Sequence, residues 1–121
     1  MLQYEINEFG KRLGLPGLET DENDRVGLHL EGLGTLSLEL NRNDRGEELL
    51  LVLARPVAPN DVGRYEALLE RVNWRSNLPV PLSAGLFRDQ LVLSARFESQ
   101  AVTAVALENA LRLMLDEMAR V

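Results

Sequence analysis

The chain has 121 residues, a formal net charge of −6 at pH 7 and no cysteine. This length suits a single domain with one hydrophobic core, which we expect to span residues 1–121. The absence of cysteine excludes disulfides and thiolate metal ligands, and the excess of carboxylates argues against nucleic acid and anionic membranes as partners. No run approaches the roughly 20 apolar residues of a membrane-spanning helix, so we expect no membrane insertion.

The N-terminal residues predict a helix rather than a signal peptide. Apolar side chains recur at helical spacing, at Leu2, Ile6, Phe9 and Leu13. Gly14 follows where a helix end favours a glycine in the left-handed conformation, so we expect the helix to stop there. We expect Phe9 in the core and Ile6 nearer the rim. Two glutamates interrupt the apolar run that a signal peptide needs, and we therefore expect a cytoplasmic protein.

Three strands are predicted next, over residues 25–31, 35–41 and 48–54, because apolar and polar residues alternate there. Glycines mark the first connection, and the polar sequence NRNDRG is predicted to form the second as a turn. Such short connections join antiparallel neighbours. We therefore expect these strands to form a meander.

The second half of the chain predicts two more helices and a hairpin. Pro59 and Asp61 mark the start of a helix that ends near Trp74. A hairpin turning at residues 88–90 follows. A last helix begins near Thr103, and its apolar arc is so wide that more than one side must be buried. The predicted fold is α+β, an antiparallel β-sheet flanked by three helices in the order α-β-β-β-α-β-β-α.

The sequence shows no recognisable motif for catalysis or metal binding. His29 is the only histidine, so neither a zinc site nor a Ser-His-Asp triad is expected, and by alternation we expect His29 to be exposed. The glycines near residue 32 lack the third glycine and the following helix of a dinucleotide motif. Glu31 and Glu39 could face each other across a hairpin, but no pocket is predicted beside them. We therefore expect no catalytic residues, no metal and no cofactor.

Apolar surface is the strongest feature of the sequence. All of it could be internal core, which is the simpler interpretation for any single leucine. Five strands and three helices nevertheless all carry apolar stripes, while a monomer of this size leaves a large part of its surface exposed. Large exposed apolar patches mark interfaces. We expect dimerisation to cover one patch and a hydrophobic client protein to cover another.

Several segments share a distinctive spacing of leucine and glycine: FGKRLGLP, GTLSLEL, LLLVLARPVA, LPVPLSAGLFRDQLVLSARF and LENALRLMLDEM. With these segments, nearly the whole sequence resembles the small acidic chaperones of bacterial type III secretion, the Tir-chaperone-like (class I) family. Within that family it is most similar to the SycN type. The polar segment NRNDRGEE departs from that type, because it lengthens the turn before the third strand.

The resemblance implies a cytoplasmic virulence chaperone that binds the N-terminal region of one secreted effector or gatekeeper protein and keeps it competent for secretion. It also implies a homodimer, or a heterodimer with another small chaperone. The implied dimer interface comprises Tyr65, Leu68, Leu69, Val72, Trp74, Gly85 and Phe87. The implied client-binding residues are Leu2, Ile6, Phe9, Val26, Leu28, Leu36 and Leu38. The alternative is a protein of the same fold that sequesters a regulator of type III secretion.

Overall fold

The computed structural model of the protein describes residues 2–15, 18–44, 46–74 and 82–120. Its helices are α1 (Leu2–Arg12), α2 (Glu66–Trp74) and α3 (Ala104–Ala119), and its strands are β1 (Arg25–Leu30), β2 (Gly34–Asn43), β3 (Gly46–Pro56), β4 (Leu82–Phe87) and β5 (Gln90–Glu98). Short 3₁₀ segments, Pro59–Tyr65 and Ser99–Ala101, precede α2 and α3. The predicted α+β class and the order α-β-β-β-α-β-β-α are confirmed.

The five strands form one antiparallel sheet in the order β1-β2-β3-β5-β4. The predicted meander of the first three strands is confirmed, whereas the insertion of β5 between β3 and β4 was not predicted. The predicted extent of the NRNDRG turn is wrong. Both strands continue into this segment, so that Arg42 lies opposite Glu47. The Arg42 guanidinium lies 3.1 Å from Glu47 and 3.2 Å from Asp24, and these ion pairs help to hold the extended hairpin.

The end of α1 follows from its glycines. Gly14 has a φ of 79°, its N–H donates to the C=O of Lys11 at 3.0 Å, and the N–H of Leu15 donates to the C=O of Gly10 at 2.7 Å. This pair of bonds is a Schellman motif, which satisfies carbonyls that the helix leaves free at its C-terminus. The predicted helix end is confirmed.

The hydrophobic core lies between one face of the sheet and the helices. Leu38, Leu51 and Ala95 lie side by side on three adjacent strands, and all three are buried. From the helical layer, Leu107 and Met114 of α3 are fully buried against this core. Replacing a leucine buried this completely by alanine typically costs about 2–5 kcal/mol. The helices therefore cover one face of the leucine-rich sheet.

Two capping contacts attach the N-terminus of α3. The side chain of Thr103 accepts a hydrogen bond from the Ala106 N–H at 3.0 Å, and Glu5 Oε1 accepts one from the Ala104 N–H at 3.1 Å. These contacts satisfy two of the four free N–H groups of the helix start and place a carboxylate at the positive end of the helix dipole. Glu5 thus joins α1 to α3.

The helix predicted from Pro59 onward is not a continuous α-helix. Residues Pro59–Tyr65 form a 3₁₀ helix, and α-helical geometry begins only at Glu66. Gly63 lies within the 3₁₀ segment, and glycine is about 1 kcal/mol less favourable than alanine in an α-helix. The α2 helix is therefore only nine residues long.

Candidate protein-binding surfaces

The face of the sheet that points away from the helices is also partly apolar. Val52, Ala54 and Val92 lie on this face between the buried leucines of their strands, and all three are half-buried. Gly85 lies opposite Val92, and Phe87, at the end of β4, is 62% exposed. Beside these β4 residues is an open depression of about 250 Å³. We call Val52, Ala54, Gly85, Phe87 and Val92 the open-face patch.

The edge of β4 is occupied by a side chain of α2. Asn73 Nδ2 donates to the Ala84 C=O at 2.9 Å, and the Ala84 N–H donates to Asn73 Oδ1 at 2.8 Å. The amide makes the pair of hydrogen bonds that a further strand would make at this position. Asn73 therefore fixes the end of α2 to β4 and closes the middle of this edge.

The edge of β1 offers free backbone groups. The N–H of Arg25 donates to Asp21 Oδ1 at 3.1 Å and its C=O accepts from the Asp21 N–H at 2.9 Å, so both groups point away from β2. Because these directions alternate along an antiparallel edge strand, Gly27 and His29 also direct their N–H and C=O outward. Within the described part of the chain, neither residue has a hydrogen-bond partner on that side. An extended segment could therefore pair with β1.

The residues predicted for the dimer interface are placed in three different environments. Tyr65, Leu68 and Val72 are buried in the chain's own core, whereas Leu69 is half-buried. Gly85 and Phe87 belong to the open-face patch. The side chain of Trp74 lies outside the described residues. The fold brings α2 and β4 together through Asn73, as an interface formed by both elements requires, and the role of these residues in dimerisation stays a prediction.

The residues predicted for client binding are mostly internal. Ile6, Phe9, Leu36, Leu38 and Val26 belong to the hydrophobic core. Leu28 is half-buried near the β1 edge. The side chain of Leu2 lies outside the described residues. Their participation in client binding stays a prediction.

The expected rim position of Ile6 is wrong. Its side chain is 0% exposed, like that of Phe9, because α1 packs against α3 and directs both side chains into the hydrophobic core. The apolar stripe of α1 is therefore a structural element of the core at both positions.

Several of the described charged residues form ion pairs. His29 is exposed, as predicted. Glu31 and Glu39 do not face each other, because Glu39 lies opposite Arg25, 3.2 Å from its guanidinium. The carboxylates of Glu47 and, to a smaller extent, Asp24 raise the pKa of Arg42.

The described residues contain no cluster of three or more histidine or carboxylate side chains that could hold a metal ion.

Sequence reasoning missed the β3 and β5 residues of the open-face patch and the difference between the two sheet edges. The run LLLVLA at residues 49–54 could have indicated the patch, since a strand that is apolar on both faces reads as a continuous apolar run. Gly27 could have indicated the β1 edge, because a glycine within a strand often marks a close backbone approach. No sequence signal pairs Asn73 with Ala84, which lie 11 residues apart.

Solved structures with the same fold include several secretion chaperones. The type III secretion chaperone SycH of Yersinia pestis, in complex with a fragment of YscM2, has a TM-score of 0.75 at 19% identity and covers 99% of this chain and 98% of its own. The HopA1–SchA chaperone–effector complex gives 0.70 at 13% identity, covering 96% and 88%. The ExoU–SpcU complex of Pseudomonas aeruginosa gives 0.66 at 19%, covering 95% and 93%. At these identities the likeness shows the fold.

Family membership rests on the sequence itself. No curated protein matches the chain significantly. No described helix is long and apolar enough to cross a membrane. The sequence model of the Tir chaperone protein (CesT) family, however, matches residues 5–121. Since this match spans nearly the entire chain and the fold agrees with it, the chain belongs to the Tir chaperone protein (CesT) family.

Proposed function

We propose that this chain is a type III secretion chaperone of the bacterial cytoplasm, which binds the N-terminal region of one secreted effector or gatekeeper protein and keeps it competent for secretion. The observation that carries the proposal is the family match over residues 5–121. Solved structures of the same fold contain chaperones in complex with an effector or a partner fragment. The function is recognition of a polypeptide, without catalysis or a cofactor.

Binding of an extended client fits the β1 edge. Gly27 and His29 together direct two N–H and two C=O groups outward, and an added strand would satisfy them. A Cβ built at Gly27 has no neighbour within 4 Å, so the surface beside this edge is open to another chain. Leu28 is half-buried beside this edge and could contact an apolar client residue. The other edge is less suitable, because Asn73 already occupies its centre.

Dimerisation fits the open-face patch. Its exposed Phe87 and its half-buried valines form apolar surface next to α2, and aromatic side chains are favoured at interface centres. Leu69 of α2 is half-buried and could extend the same interface. The partner is a second copy of this chain or another small chaperone of the same fold. Tyr65, Leu68 and Val72 support the interface from beneath, as part of the core under α2.

Within the chaperone family, we propose that the chain is of the SycN type, whose client is the gatekeeper of the export channel. This assignment rests on the leucine and glycine spacing of the sequence. The alternative, a regulatory protein of the same fold that sequesters a regulator, is not favoured, because the matching family is defined by a chaperone. Identification of the client separates these assignments directly.

Client binding is tested in two steps. The tagged chain is first purified from the native bacterium, and the proteins that co-purify are identified by mass spectrometry. The N-terminal segment of the secreted protein found is then titrated against the chain and its variants. Gly27→Pro removes an outward N–H and should weaken binding at least tenfold. Gly27→Ala keeps that N–H, fits the available space and should bind like the wild type. A co-purified transcriptional regulator in place of a secreted protein would contradict the proposal. Equal affinity of both variants would exclude the β1 edge as the client site.

Dimerisation is tested by sedimentation equilibrium of two matched variants. Phe87 and Tyr4 are both aromatic and both 62% exposed, but Tyr4 lies on α1, away from the open-face patch. Burial of a phenylalanine contributes about 1.5–3 kcal/mol, so Phe87→Ser should weaken the dimer more than about tenfold. Tyr4→Ser should leave it unchanged. A monomeric wild type or an unaltered Phe87→Ser dimer would rule out this interface.

A further inference from the structure

Strand β4 is an outer strand of the sheet, and its own sequence lacks the features that protect such a strand from pairing with another chain. Edge strands expose unpaired N–H and C=O groups, and proteins protect them with charged residues, prolines or bulges. The β4 sequence, LSAGLF, has no charge and no proline, and it pairs with β5 residue by residue without a bulge. Short uncharged segments of this kind associate readily when their edge is free. The protection of this edge must therefore come from elsewhere in the chain.

The side chain of Asn73 supplies this protection. Its amide bonds to both outward backbone groups of Ala84, at 2.9 Å and 2.8 Å. Because these directions alternate along an edge strand, Ser83 and Gly85 direct their backbone groups toward β5, and Leu86 is the next residue whose groups point outward. Within the described ranges, the outward groups of Leu86 have no hydrogen-bond partner. One amide side chain therefore closes the centre of an edge that is otherwise able to pair.

This contact can open without removing α2 from the core. Leu68 and Val72 are each 1% exposed and anchor the helix, and Arg71 forms an ion pair with Glu117 of α3. Asn73, in contrast, is exposed and lies one residue before the end of the helix. Helix ends open at a lower cost in free energy than buried helical segments. Loss of the two amide hydrogen bonds should therefore release the end of α2 from β4 while the rest of the helix stays in place.

We propose that Asn73 is an edge lock, which prevents β4 from pairing with the β4 of a second copy of this chain. Ala84 is a self-complementary position for such pairing, because in an antiparallel pair each copy's N–H can donate to the other copy's C=O. No charge on either strand opposes the approach. The paired copies would join two sheets edge to edge. The proposal is independent of the client site and of the open-face patch, since that patch uses side chains on the sheet face rather than backbone groups at the edge.

The test is sedimentation velocity of the full chain over a range of protein concentrations, with the mass of the wild type as the reference. Asn73→Ala removes both hydrogen bonds to Ala84, and we expect it to form species of about twice the wild-type mass or more. Asn73→Leu keeps a similar side-chain volume without the amide and should associate in the same way. The matched control is Asn60→Ala, the same substitution at an exposed residue of the 3₁₀ helix that precedes α2, and it should behave like the wild type.

A second substitution distinguishes edge pairing from a general loss of structure. Proline at position 84 removes the outward N–H and is tolerated on an edge strand. The double variant Asn73→Ala/Ala84→Pro should therefore return to the wild-type mass, and circular dichroism melting verifies that each variant is folded. Wild-type mass for both Asn73→Ala and Asn73→Leu, or a double variant as large as Asn73→Ala, would overturn the proposal. Failure of both single variants to fold would also overturn it, because Asn73 would then support the core rather than lock the edge.

Discussion

The ion pair between Arg71 and Glu117 joins α2 to α3, and its loss should destabilise the fold strongly. Arg71 Nε donates to Glu117 Oε2 at 2.5 Å, and a second nitrogen of Arg71 donates to the Glu117 C=O at 3.4 Å. The Glu117 side chain is 2% exposed, whereas that of Arg71 is 23% exposed. Replacing Arg71 by methionine keeps much of the packing volume and leaves a buried carboxylate without its main partner.

The magnitude follows from this burial. Removing one partner of a buried ion pair costs about 3–5 kcal/mol. Arg120, 3.7 Å from the other Glu117 oxygen and mostly exposed, retains part of the stabilisation. We therefore expect Arg71→Met to lower the free energy of unfolding by about 2–3 kcal/mol, against a typical total of about 5–15 kcal/mol. With a urea slope of about 1–3 kcal/mol per molar, the unfolding midpoint should fall by about 0.7–3 M.

A double variant distinguishes the buried charge from lost packing. Replacing both residues, as Arg71→Met/Glu117→Leu, removes the unpaired carboxylate and should restore stability to within about 1–2 kcal/mol of the wild type. The control is Arg64→Met, because Arg64 is 62% exposed, 3.8 Å from Asp61, and such surface pairs contribute about 0–1 kcal/mol. Urea unfolding at one fixed protein concentration measures all three variants. Additive losses in the double variant would refute the reasoning.

Three further predictions concern single positions. Gly34 has a φ of 128°, and a Cβ there would lie 2.2 Å from the Ala54 carbonyl oxygen. Gly34→Ala should therefore lower the free energy of unfolding, measured with urea, by more than about 2 kcal/mol. The control Gly27→Ala should change that free energy by less than about 1 kcal/mol. Thr103→Ala removes the N-cap of α3 and should cost about 1 kcal/mol, measured as a lower thermal midpoint. Ile6→Asp places a charge in the core and should abolish the native circular dichroism signal; a folded Ile6→Asp variant would show that α1 can leave the core.

The local elements of this protein could be predicted from its sequence. Leu36, Leu38 and their neighbours alternate with polar residues, and the wide apolar arc of α3 requires burial on more than one side; both patterns depend only on backbone geometry. The end of α1 was predictable for a similar reason, since Gly14 adopts a conformation that other residues avoid. Element type and order therefore followed from the sequence, as did the exposure of His29.

Only the tertiary structure decided which apolar residues are core and which are surface. Ile6 and Phe9 occupy one helical stripe, and periodicity cannot tell how deeply α1 packs. The same limit applies to Val52 and Val92, whose exposure depends on which sheet face the helices cover. Asn73 closes one edge while Gly27 leaves the other open, and this difference required the strand order β1-β2-β3-β5-β4. Contacts between residues distant in sequence depend on packing of the whole chain, and no local pattern encodes them.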